Sequence, residues 1–243
     1  MGRSIRAVAP RVVTVDLFSA LIDSRTGGSA VLGALAAERG WDVDGGALYD
    51  RWDARNKASQ RDLRTWVPFA EHSRRALAAA YAELGLTADA GADTGLLLGS
   101  VGDWPLWPDV EAGLAAVAVR YRVGILSNVD DDVFARTRVA ALVGGTVDAD
   151  AVWTSERLRA YKPAPELYRR ARERAGGALT HVATSARDVR GALEAGLDVV
   201  RLRRPGHHLD PAGPRPAADV GALHHVVTVL DRAGDCGDNR GKT

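Results

Sequence analysis

One cysteine, Cys236, stands among the 243 residues. That excludes an intrachain disulfide framework and any metal site built from cysteines, and its polar surroundings make it incidental. No apolar run approaches the ~18 residues of a membrane-spanning helix. The short apolar stretch after Arg11 is bounded by Asp16, so no secretory signal is expected and the expected address is cytoplasmic. An excess of one charge is missing too. A net charge of +1 leaves no global field to recruit nucleic acid or anionic lipid, so neither is an expected partner. What is present is ordinary for a globular protein, with 46% hydrophobic and 26% charged residues. The length suits a core domain with a smaller companion, because single cores beyond ~250 residues tend to split.

Along the chain the hydrophobic period changes twice. Val12, Val13, Thr14 and Val15 form a β-branched run of buried-strand type. From Gly27 to Gly102 the spacing is helical, predicting helices over 29–39, 47–59, 68–84 and, more weakly, 87–98, with stops at Gly40 and Gly85. Beyond Trp104, short apolar runs at 123–126, 151–153, 181–183 and 199–202 alternate with helical patterns at 109–120, 132–142, 165–175 and 189–195. Such alternation predicts an α/β fold with a mainly parallel sheet covered on both faces. Residues 1–23 and 104–231 would form that core, and 24–103 a separate helical lobe inserted after the first strand. The Gly- and Asp-rich segment 232–243 is expected to be disordered.

In sheets of this kind ligands sit outside the carboxyl ends of the strands. Asp16, the pair Ser127 and Asn128, and the group Thr184, Ser185 and Asp188 all fall at strand ends, with Lys162 in a nearby loop. Two carboxylates, hydroxyl and amide donors, and an ammonium would converge at one edge. The set suits attack by a carboxylate, with the lysine compensating charge and the donors holding an anionic substrate. Asp130, Asp131 and Asp132 read as a helix N-terminus, and His181 as a structural residue opening a strand. The pairs His207–His208 and His224–His225 lack metal-ligand spacing.

Four segments then resemble, in order, the motifs of the haloacid dehalogenase (HAD) superfamily. They are Val15 to Asp23 around Asp16, Ile125 to Asn128, Tyr161 to Tyr168 around Lys162, and His181 to Ala192 around Asp188. The resemblance implies a Rossmann-like core, a helical cap over the site, and Asp16 as nucleophile. Within that family, phosphatases carry a second Asp where this chain has Phe18, and an acidic residue where it has Thr184. The 2-haloacid dehalogenases lack that second Asp and use no metal. By that likeness Asp16 would attack carbon, Lys162 would keep it ionised, and Asp188 would steer the hydrolytic water. Ser127, Asn128, Phe18, Ser185 and Tyr168 would bind the substrate, and Arg55 (or Arg51), near Trp52, Asn56 and Trp66, would supply a cap cation. Ala20 and Ser185 depart from the dehalogenase pattern. The leading expectation is therefore metal-independent hydrolysis at carbon of a small anionic, carboxylated substrate, with no cofactor. Two alternatives stay open: a phosphatase holding Mg2+ through Asp16 and Asp188, and a non-catalytic or biosynthetic relative that binds an anion. A homodimer formed through the cap is a further implication of the resemblance.

Overall fold

The computed structural model describes residues 11–61, 63 and 65–238. Strand β1 (Val12–Val15) is buried along its whole length. Its side chains alternate between two hydrophobic clusters, Val13 and Val15 on one face and Val12 on the other, which is how a doubly covered strand must behave. The other strands are β2 (Arg122–Ser127), β3 (Val152–Thr154), β4 (Leu179–Ala183), β5 (Asp198–Leu202) and β6 (Ala218–Val220). All pair in parallel, in the order β3-β2-β1-β4-β5-β6. The chain winds from β1 outward to β3, then returns to the other side of β1 for β4. Val15 is flanked by Ile125 and Val182. The reversal between β1 and β4 opens a crevice at their carboxyl ends, the usual ligand position of a doubly wound sheet.

Helices α1 (Ser24–Glu38), α2 (Gly45–Ser59), α3 (Phe69–Leu84) and α4 (Ala90–Gly99) follow β1 and pack on one another. Helix α1 starts five residues before the position expected from sequence. Gly27 and Gly28, inside it, are sites of close packing. A Cβ on Gly27 would lie 2.3 Å from the Trp104 ring, and one on Gly28 2.4 Å from Tyr49. Asp23 caps the helix, accepting from the Thr26 N–H and hydroxyl. Helix α3 begins at Pro68, which has no side-chain acceptor to offer. Its cap comes from the core: Asp130 Oδ1 accepts from Phe69 N at 2.8 Å and Oδ2 from Ala70 N at 2.9 Å.

The core helices are α5 (Val110–Ala118), α6 (Asp131–Ala135), α7 (Ser155–Leu158), α8 (Pro165–Arg174), α9 (Ala186–Glu194) and α10 (His225–Asp238). The single helix expected over 132–142 is divided. Thr137, in extended geometry, ends α6 by donating to Phe134 O and starts a 3-10 turn by accepting from Ala140 N. Strand β6 and helix α10 were not anticipated. Val226 and Leu230 bury α10 against the core, and the helix runs to Asp238. It therefore covers the first half of the 232–243 segment expected to be disordered; residues 239–243 lie outside the described residues. No helix among the described residues is long and apolar enough to cross a membrane.

Candidate active site

Asp16 follows the last residue of β1, and its N–H donates to Val182 O of β4 at 2.9 Å. The carboxylate is thereby set at the crevice. Lys162, in the loop before α8, reaches it from the far side, with Nζ 2.8 Å from Asp16 Oδ1 and 2.6 Å from Asp188 Oδ2. Asp188 sits in the first turn of α9, where the helix N-terminus favours negative charge. The three groups are 9%, 5% and 3% exposed for Asp16, Lys162 and Asp188, so a buried acid–ammonium–acid bridge forms the floor of the site.

Burial acts on each member differently. It pushes the Asp16 carboxyl above its ordinary range, against the opposing pull of Lys162 and with the added repulsion of Asp188. For Asp188 burial is outweighed by Lys162 and by His181, which hold the carboxyl well below the usual value. Burial would lower the Lys162 ammonium, but its two carboxylates outweigh that and raise it.

Further groups brace Asp188. The Tyr168 hydroxyl donates to Oδ1 at 2.8 Å, His181 Nε2 lies 3.0 Å from Oδ2, and Ser185 Oγ accepts from the Asp188 N–H. Tyr168 is fully buried beneath Asp188 and does not line the cavity. It positions a carboxylate rather than touching a ligand, which corrects the substrate-binding role expected of it. Asn128 does line the cavity, and it also holds the lysine loop. Its Oδ1 accepts from Lys162 N at 2.8 Å, and Nδ2 donates to Lys162 O and to Gln60 Oε1. Both amide hydrogens are engaged.

The cavity encloses about 90 Å3 above this floor. Phe18, Trp52, Phe69 and Trp104 form an apolar wall, with Phe18 stacked on Phe69 at 6.1 Å. Ser127 and Ser185 line it as expected. Arg55 does not. It pairs with Glu83, its side chain is 54% exposed, and it lies outside the lining. Arg51 is exposed as well. Trp66 borders a different cleft, beneath Arg159. Besides Lys162, the cations that line the cavity are Lys57, paired with Asp53 at 2.5 Å, and Arg187; sequence reasoning missed these two. His181, read from sequence as a structural residue, joins Thr14 to Asp188 through its ring.

Magnesium takes near-octahedral oxygen ligands, commonly one or two carboxylates with waters, and the floor offers it the carboxylates of Asp16 and Asp188. The ammonium of Lys162 stands between the two carboxylates, and Thr184 turns away to donate to Leu202 O. Among the described residues no group of three His, Cys, Asp or Glu side chains is placed to hold a metal.

A parallel α/β fold with an acid–lysine–acid floor at its switch point defines an enzyme class rather than a binding scaffold. A model of the haloacid dehalogenase-like hydrolases matches residues 10–196, and the chain belongs to that family. No curated protein sequence matches the chain. Among solved structures it is similar to the L-2-haloacid dehalogenase of Xanthobacter autotrophicus with chloropropionic acid covalently bound, at 20% identity and a TM-score of 0.76 over 91% of this chain and 98% of that one. It is similar to the defluorinating L-2-haloacid dehalogenase Rha0230, at 26% identity and 0.76 over 91% and 95%. A further likeness is to magnesium-bound YfnB of Bacillus subtilis, at 14% identity and 0.72 over 92% and 100%.

Proposed function

We propose that the protein hydrolyses a small carboxylated substrate by metal-independent attack of Asp16 at carbon, in the manner of a 2-haloacid dehalogenase. The observation that carries this reading is the position of Lys162 Nζ, within 2.8 Å of both Asp16 and Asp188. An ammonium there does what a metal would otherwise do, holding Asp16 ionised and aimed. Phe18, in the apolar wall, has no proton to give, so the leaving group departs without protonation. That suits halide and not an alkoxide. The likeness to two L-2-haloacid dehalogenases, one carrying covalently bound chloropropionic acid, agrees with it.

In the first step an Asp16 oxygen forms a bond to the substrate carbon as the carbon–halogen bond breaks and halide leaves with its electron pair. Helices α1 to α4 act as the cap that excludes bulk water from the resulting ester. In the second step a water steered by Asp188 adds to the ester carbonyl. The hydroxy acid departs, Asp16 is restored, and the proton from water leaves by way of Asp188 to solvent.

The test is product release by the purified protein from 2-halo acids and phosphate esters, in Mg2+ and in EDTA, with Asp16→Asn as control. Halide release that survives EDTA and disappears in the variant supports the reading. Phosphate release that depends on Mg2+ would replace it with the phosphatase.

A further inference from the structure

The floor of the cavity carries two negative charges and one positive, Asp16 and Asp188 against Lys162. A carboxylated molecule entering the site therefore meets net negative charge and needs a cation elsewhere. Lys57 is committed to Asp53. Asn128 has no amide hydrogen left to give. Arg187 is different. It lines the cavity from the first turn of α9, and among the described residues it is paired with no carboxylate.

Its guanidinium is held in place by uncharged groups only. Nη1 donates to Lys57 O on α2 at 2.9 Å, and Nη2 donates to Lys162 O. The Nε–H is buried with no hydrogen-bond partner. Burial and the neighbouring Arg61 both disfavour its charge, with Tyr168, Asp188 and Asp53 opposing them. A partly buried cation with no carboxylate in bonding reach is costly, and among the described residues the site gives it no direct ion pair until an anion arrives.

We propose that Arg187 is the anion anchor of the cavity: it takes the carboxylate of a short acid and sets the preference for acids over their neutral analogues. The space of about 90 Å3 is below the ~150 Å3 that accommodates benzene, which points to acids of about two to four carbons. The proposal deepens the hydrolase reading by naming the residue that selects its substrate, but the binding it describes does not require turnover.

The experiment is calorimetric titration of propionate and of propionamide into the full chain and into Arg187→Lys and Arg187→Gln. Glutamine removes the charge, and lysine restores it without the forked guanidinium. The expected result is propionate binding weakened about 10- to 100-fold in R187Q, a smaller loss in R187K, and propionamide binding unchanged by either. Equal losses for both ligands would mean a structural role and overturn the proposal. So would propionate binding that is unaffected by R187Q, or no preference for propionate in the unaltered protein. Halide release separates this from the hydrolase reading. Anchoring without turnover of any halo acid sinks only the reaction, and turnover with an unchanged KM in R187Q sinks only the anchor.

Discussion

His181 Nε2 lies 3.0 Å from Asp188 Oδ2, while Nδ1 of the same ring lies 3.0 Å from Thr14 Oγ1. A proton on Nε2 is donated to the carboxylate, while Nδ1 shares a hydrogen bond with the threonine hydroxyl. The opposite arrangement would set two lone pairs against each other at the carboxylate. The ring thus fixes the face that Asp188 turns to the cavity, from two strands that are neighbours in the sheet.

Replacing His181 by Phe is expected to leave Asp188 and Thr14 each short of a buried partner, at about 1–3 kcal/mol per group. Urea unfolding should show the loss, and kcat should fall more than KM rises. His181→Gln, which can donate to Asp188, should recover most of kcat. Equal kcat in His181→Phe and the unaltered enzyme would show that Asp188 needs no such brace.

Lys162→Met is expected to be the most damaging single change in the floor. It leaves two carboxylates facing each other in a buried site, and breaking a buried ion pair costs about 3–5 kcal/mol. The loss should shrink on acidification, because protonating one carboxyl relieves the repulsion. Denaturation midpoints at pH 7 and pH 5 measure this; a variant equally destabilised at both would remove repulsion as the cause.

The pH dependence follows from the two acids having moved apart. Asp16 sits above its ordinary 3.8 through burial, so its ionised form is lost as pH falls through that raised value. Activity should fall with it. A raised carboxyl binds its proton more tightly when folded, so its protonation costs no stability. Asp188 is depressed. Its stabilising contribution is present above the unfolded value of ~3.9 and is lost only as pH falls through the lower folded one. A window is therefore expected in which the protein is folded but inactive, seen as an acid limb of kcat/KM above the onset of acid unfolding. Coincidence of the two limbs would refute it.

Asp130→Ala removes the cap of α3 from 60 residues away in sequence. A lost N-cap costs about 0.5–2 kcal/mol, and here it also loosens α3 from the core loop that follows β2. Hydrogen exchange should quicken at Phe69 and Ala70 first. Exchange that rises instead throughout the sheet would mean the residue supports global folding.

Much of this was legible in the sequence. The strand-end carboxylates Asp16 and Asp188 and the loop lysine follow from the parallel sheet, because that architecture brings carboxyl ends of strands to one edge whatever the intervening chain does. The cap cation was misplaced, although the signal was there. Trp52, Asp53, Asn56, Lys57 and Gln60 line the cavity and share one face of α2. At ~100° per residue, Arg51 and Arg55 lie roughly 130–170° round the helix from the centre of that face. Arg187 was harder to see. Nothing local distinguishes it from other helical arginines; only its place on the cavity wall, together with the lack of a carboxylate partner among the described residues, does. The helix over 132–142 and the tail failed for opposite reasons: Thr137 took its local capping role over the helical period, and in α10 buried Val226 and Leu230 outweighed a Gly- and Asp-rich composition.

Two contacts stitch α2 to the rim of the core, Gln60 Oε1 to Asn128 and Lys57 O to Arg187. Neither acceptor is charged, and water can stand in for the protein partner in both. With water replacing the lost partner, parting them costs on the order of 0.5–1.5 kcal/mol each, about 1–3 kcal/mol together, so the two contacts would be parted in roughly 1–15% of molecules. The seam behaves as a fastener rather than a weld. It fastens α2 alone; α3 stays tied to the core through the charged carboxylate of Asp130, so the two halves of the helical lobe are held to the core with unequal strength.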